Sequence, residues 1–198
     1  MTQLQLSTLA GCGLAIGAYP RFRYDARGGG GLGQLAAATD RDDGGRDDGG
    51  GSGGGPGPLA LRFDPAGLRI PDLDRRTTRW LGLPLPPGLA IAIAPEQLEG
   101  QLDPATGQLE LRFQARFRFR IGSLVQAPDL LIDAQLSTGS VAGRRHRAEG
   151  QPLDGQGQAL LVGVATVQPS GAAWLDRFLG LPDEALAILR CQLGPWAG

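Results

Sequence analysis

Leu109-Glu110-Leu111-Arg112-Phe113-Gln114-Ala115-Arg116-Phe117-Arg118-Phe119-Arg120-Ile121 alternates apolar and polar side chains without a break. A period of two marks an extended strand with one face on a core and the other in water. At ~3.3 Å per residue the run reaches roughly 40 Å, against a usual strand of about five or six residues. A strand of that length bends around what it covers. It predicts a barrel or strongly curved sheet, with Phe113, Phe117 and Phe119 inside and Arg112, Arg116, Arg118 and Arg120 outside.

The flanks extend the same pattern. Upstream, Leu98–Leu102 leads into Asp103-Pro104-Ala105-Thr106-Gly107, a hairpin loop with Pro in a turn position and Gly where positive φ is needed. Leu89–Ile93 and Leu59–Phe63 read as further strands, the latter ending at the turn Asp64-Pro65-Ala66-Gly67. Downstream, Leu130–Thr138 alternates again. Ala159–Val167 is apolar on both faces, which calls for cover on both sides. Near the start, Leu14-Ala15-Ile16 and Tyr19–Tyr24 also look extended.

Three segments read as helices. Asp72 or Asp74 is placed to cap one running to about Leu81, with Trp80 and Leu81 packing inward. Ser170 is placed to cap a second through Trp174, Phe178 and Leu179. Pro182, followed by Asp183 and Glu184, is placed to open a third that ends near Cys191. The last two would supply the missing cover as a C-terminal helix pair.

Composition sets the limits. With 198 residues the chain suits one domain, 1–198, and 14 of its 33 Gly fall in residues 28–58. That stretch has little to bury beyond Leu32–Ala38 and is expected to be an internal disordered Gly/Asp-rich loop. Its Gly run lacks the spacing of a phosphate cradle, and its Asp/Gly repeats match no calcium loop. A formal net charge of -1 and 6% aromatics argue against a nucleic-acid partner. No run reaches the ~18–20 apolar residues of a membrane-spanning helix.

The start contains Leu9-Ala10-Gly11-Cys12, which matches a lipoprotein cleavage box. The residues before it carry no positive charge, and those after it are apolar, so a strand is the better reading. Cys12 and Cys191 are expected as unpaired buried thiols of a cytoplasmic protein.

Reactive chemistry is sparse. All 19 basic residues are Arg, which excludes Schiff-base and P-loop lysines. His146 is the single histidine and sits in a basic loop cluster with Arg144, Arg145 and Arg147. A triad with a second His, or a metal site with several His ligands, is therefore excluded, and no cofactor or metal is called for. A hydrolase-type enzyme ranks third among the readings, because no carboxylate pair is marked by a motif.

Tyr19-Pro20-Arg21-Phe22-Arg23-Tyr24-Asp25-Ala26 with its Gly run, Pro86-Pro87-Gly88-Leu89, Ala127-Pro128-Asp129-Leu130, Leu161-Val162-Gly163-Val164-Ala165 and Phe178-Leu179-Gly180-Leu181-Pro182 resemble a group of uncharacterised cyanobacterial proteins with relatives in plastids. The resemblance implies a place near photosynthetic membranes and carries over no catalytic residue.

The expectation is a mainly β (α+β) domain: a curved antiparallel sheet, barrel-like or sandwich-like, with short helices. The leading function is non-enzymatic binding of a lipid or other apolar ligand, peripheral at an anionic membrane, with Phe113, Phe117 and Phe119 lining the pocket. The alternative is an assembly factor that docks an acidic protein partner through Arg112, Arg116, Arg118 and Arg120.

Overall fold

A computed structural model of the chain describes residues 2–37, 57–122 and 125–195. The elements in order are β1 (Thr2–Thr8), β2 (Cys12–Ile16), β3 (Phe22–Tyr24), β4 (Gly30–Ala37), β5 (Leu59–Phe63), a short 3-10 turn at Pro65–Gly67, β6 (Thr78–Trp80), β7 (Leu83–Pro84), β8 (Leu89–Asp103), β9 (Gln108–Ile121), β10 (Val125–Gln126), β11 (Leu130–Ser137), β12 (Ser140–Ala142), β13 (Arg147–Glu149), β14 (Gln158–Val167), α1 (Ala173–Leu179) and β15 (Asp183–Gly194).

Hydrogen bonding runs β1-β4-β5-β8-β9-β11-β14-β15, and β15 pairs back onto β1, so eight strands close a ring. Every pairing in the ring is antiparallel. The long alternating strand is β9, flanked by β8 from Leu89↔Ile121 to Asp103↔Gln108. What reads in the sequence as two short strands, Leu89–Ile93 and Leu98–Leu102, is one strand bent by an irregularity between Pro95 and Gln97. Such a bulge turns a strand sharply enough to follow a barrel wall.

β1 and β2 run end to end along β15. Thr8↔Cys191 is followed by Gly13↔Ile188, so the four residues Leu9–Cys12 face the two residues Leu189 and Arg190. At this irregularity the wall divides. β1 continues the ring through β4, whereas β2 leads to β3, β6 and β7, an arm that extends the barrel at one end. The bridge Leu73↔Ile91 ties the segment before β6 back to β8.

The other end is solid. Leu102, Leu109 and Leu161 have no exposed surface, and Leu61, Phe63, Leu111 and Leu193 are 1% exposed. These side chains form one cluster with Leu4, Leu6, Leu98, Leu136 and Cys191.

Several expectations change. There is no C-terminal helix pair: α1 forms over Ala173–Leu179, with Ala172 rather than Ser170 at its N-cap and no side-chain cap, and the segment after Pro182 is β15. A helix would leave β14 and the β1–β2 run without the partner that both bond to. Tertiary pairing thus overrides the local helix signals of Pro182, Asp183 and Glu184. The helix expected up to Leu81 is also absent. Asp74 instead accepts from Arg76 N and Thr77 N in a side-chain-capped turn, after which Thr78–Trp80 pairs with β3.

Within residues 28–58, Gly30–Ala37 is strand β4, and residues 38–56 lie outside the described residues. The glycines serve close approach: at Gly30 (φ 132°) a Cβ would collide with the Leu6 carbonyl, and at Gly33 with the Phe63 ring. Cover for the outer side of β14 comes from the polar segment after β11, where β12 and β13 form a hairpin and Gln151 bridges to Leu160.

Candidate functional site: an apolar cavity at the barrel mouth

The end of the barrel with the β2–β3 turn, the β6–β7 hairpin, the start of β8, the end of β9 and helix α1 encloses a cavity of about 370 Å³. Eight strands give an interior that side chains can fill or that can hold one small ligand. Here the two regimes share one barrel, solid at one end and hollow at the other.

Alternation in each strand brings the wall together. Phe113, Phe117 and Phe119 point in from β9, Ile91 and Leu89 from β8, Leu130 and Ile132 from β11, and Ala165, Ala185 and Ala187 from β14 and β15. The small residues on β14 and β15 stand across from the phenylalanines, so the space is left by alanines, while Gly163 lets β11 pass close, since a Cβ there would collide with the Gln135 carbonyl. A second void of about 100 Å³ adjoins it deeper in the barrel, sharing Leu14, Leu73, Phe113, Phe117 and Ala187 in its wall.

α1 closes the mouth. Leu175 and Leu179 are buried and line the cavity, one helical turn apart. On the other face Trp174 and Phe178, also one turn apart, are 46% and 58% exposed. Tyr19 holds the helix from the β2–β3 side: its hydroxyl donates to the Phe178 carbonyl, and the two rings lie 5.9 Å apart. Phe22 and Trp80, paired across β3 and β6, stack at 6.2 Å and complete the wall.

The arginine face of β9 has a different character from the one expected of a docking surface. Arg112 pairs with Asp133 at 2.7 Å, Arg118 with Asp129 at 3.2 Å and Arg120 with Asp72 at 2.8 Å, and Arg116 pairs with Glu96. Each of the four guanidinium groups thus has a carboxylate partner from a neighbouring segment, and the face is compensated within the chain.

The basic loop cluster is a clasp. Glu184, at the head of β15, accepts from the backbone N–H groups of Arg144 (2.7 Å), Arg145 (3.0 Å) and His146 (2.7 Å). Burial works against its charge, but these three donors outweigh it and hold the carboxyl below its usual range. Asp183 accepts from Glu184 N and from Arg145 Nε at 2.9 Å, and it too is held low. Arg147 lies exposed on β13. His146 therefore contributes a backbone donor, and no group of three or more His, Cys, Asp or Glu is assembled among the described residues.

Cys12 and Cys191 are free, buried thiols. Burial raises both, Cys191 to about 12, which leaves no thiolate for nucleophilic chemistry at neutral pH.

The structure places Phe113, Phe117 and Phe119, the pocket candidates read from the sequence, in the cavity wall. Sequence reasoning missed Tyr19, Phe22, Leu175 and Leu179, although the alternation of Phe22 and Tyr24 with Arg23 carried the signal for an inward and an outward side; Trp80 faces inward as expected but from a strand, and Leu81, expected inward, is 68% exposed. A cleft on the outer wall was missed as well. There Arg21, Arg23, Arg76, Arg79 and Arg190 surround an apolar floor of Leu160, Val162 and Ile188.

A closed antiparallel barrel with a plugged, apolar mouth defines the class by architecture alone. Comparison of the chain with protein-family models, with curated proteins and with solved structures finds no match in any of the three.

Proposed function

We propose that the protein binds a lipid or another apolar molecule in the mouth cavity, without catalysing its conversion. The observation that carries this reading is the cavity itself: about 370 Å³, within the range of small-ligand sites, walled by Phe113, Phe117 and Phe119 and by alanines opposite them. A fully packed interior would stabilise the fold further, since each buried CH2 contributes about 0.8 kcal/mol. The hollow is thus a departure from what stability alone favours. An acidic protein docking on Arg112, Arg116, Arg118 and Arg120 would first have to separate four ion pairs, so that reading takes second place.

Two measurements test the proposal. Native mass spectrometry of protein gently purified from its own or a related host should show an adduct of a few hundred daltons that is lost on denaturation. In solution, a fluorescent fatty acid should bind with a stoichiometry near one. Ala187→Phe, which fills the cavity from β15, should abolish uptake while the variant stays folded by circular dichroism. Unchanged uptake in Ala187→Phe, or no uptake by the wild type together with a clean apo mass, overturns the proposal.

A further inference from the structure

Seven large apolar side chains are conspicuously exposed among the described residues, and five of them, Leu81, Leu83, Ile121, Trp174 and Phe178, lie at the mouth end. Leu81 and Leu83 are 68% and 70% exposed on the β6–β7 hairpin. This end therefore presents an apolar rim, while the walls of the barrel are mostly polar outside.

The hairpin tip is costly for the fold. Trp80 pairs with Leu83, leaving Leu81-Gly82 as a two-residue loop with φ of 51° and 83°. Positive φ at both positions calls for Asn-Gly or Asp-Gly, and leucine is disfavoured in the left-handed region. Leu81 is the one non-glycine residue with positive φ among the described residues. Beside it, the buried Trp80 Nε1 has no protein partner. Two local costs in consecutive residues, one of them to hold a leucine out in solvent, point to a contact outside the chain.

Charge identifies the contact. Among the acids near the mouth, Asp72 pairs with Arg120, Asp129 with Arg118 and Asp183 with Arg145, whereas Asp176 on α1 and Asp74 before β6 are held by Ser170 and by the Arg76 and Thr77 backbone, with no arginine side chain as partner among the described residues. Arg21, Arg23 and Arg79 are exposed and have no carboxylate within 4 Å among the described residues. Arg23 and Arg79 even face each other across β3 and β6, one position from Phe22 and Trp80 in the cavity wall. Like charges directly opposite are destabilising unless an anion sits between them. Two acids share the same cleft: Asp25, which is held by Arg27, and Glu149.

An apolar rim beside unpaired arginines is complementary to a lipid surface, where side chains such as Leu, Trp and Phe enter the headgroup–acyl boundary and arginines meet phosphates. We infer that the mouth end docks on a bilayer containing anionic lipids, with Leu81, Leu83, Trp174 and Phe178 inserted and Arg21, Arg23 and Arg79 on the headgroups. The inference rests on the reading of the cavity as an apolar-ligand site, because docking would open the mouth toward the source of the ligand.

The test is co-sedimentation of the full chain with vesicles of phosphatidylcholine alone or with phosphatidylglycerol. Binding is expected to the mixed vesicles, weakening with salt. Arg23→Gln and Arg79→Gln should each lower partitioning about fivefold, and Leu83→Ser with Phe178→Ser should lower it at least tenfold. Leu81→Asn is the sharpest variant: it should raise the Tm, because Asn suits the left-handed region, and weaken vesicle binding. No sedimentation of the wild type with the mixed vesicles overturns the inference, as does unchanged binding by the rim variants. Rim-dependent self-association in place of vesicle binding would assign the face to a second copy and overturn it as well. Uptake of the fluorescent fatty acid in vesicle-free solution is read in parallel on the wild-type chain. Its persistence when vesicle binding fails would sink the docking and leave the cavity reading standing, and its absence when vesicle binding holds would do the reverse.

Discussion

Glu184 shows how one buried carboxylate can organise a surface segment. Its two oxygens accept three consecutive backbone N–H groups, from Arg144, Arg145 and His146, and so fasten the β12–β13 hairpin over the outer side of the barrel. Hydrogen bonds to a charged acceptor contribute about 1.5–3 kcal/mol. Replacing the side chain leaves three donors unpaired, so Glu184→Ala should cost about 3 kcal/mol in urea unfolding. The pH dependence has a definite sign. The folded carboxyl is held low by its donors, so its stabilising effect is complete above the unfolded value of about 4.3 and is lost as pH falls through the folded value. Asp183, also held low, acts in the same direction. Stability should therefore fall below about pH 5, and Glu184→Gln should flatten that fall while lowering stability at pH 7. Parallel pH profiles for the wild type and Glu184→Gln would show that Glu184 is not the titrating anchor.

At the scale of the element, β9 explains why much of the fold could be read from the sequence. Its inward and outward residues are distinguished by hydrophobicity alone, and the structure keeps that division from Leu109, fully buried, to Ile121 at the rim. Phe113, Phe117 and Phe119 follow directly, as do the strands of β5, β11 and β14 and the turn at Asp103–Gly107. β15 was illegible for a physical reason. Ala185 to Leu189 has no polar position to reveal a period, and its flanking Pro182, Asp183 and Glu184 mimic a helix start, so only its pairing partners decide its state. The glycines of β4 misled in the opposite sense, since a run that looks too flexible to order is required where strands pass close together. The same logic applies at Gly100 in β8, where a Cβ would collide with the Glu110 carbonyl of β9. Gly100→Ala should therefore destabilise by about 1–3 kcal/mol, as overpacking does, read as a lower urea midpoint with unchanged slope. By contrast Arg112→Gln or Arg118→Gln should cost less than about 1 kcal/mol, since exposed ion pairs contribute little.

Across the whole molecule, the division of the barrel into a packed end and a hollow end implies a gradient of local stability. The packed end joins β1, β5, β8, β9, β11, β14 and β15 through leucines with essentially no exposed surface. Its amides can open only when that cluster comes apart, which is global unfolding. The mouth is closed by a seven-residue helix and a two-residue β7, neither of which has a large buried interface of its own. Such elements open with much lower free energy than the core that carries them, which is what a site filled from outside requires. Hydrogen exchange should accordingly place the backbone of α1 and of the β6–β7 hairpin among the fastest-exchanging ordered segments. Leu102, Leu109, Leu161 and Leu193 should exchange at the global limit. Saturation with a fatty acid should slow exchange in α1 and leave those four leucines shifted only by the gain in overall stability. At a hundredfold excess over Kd that gain is about 2.7 kcal/mol. Uniform protection across both ends before and after the addition would mean that the barrel opens as one unit, and the mouth could then not serve as a separate gate to the cavity.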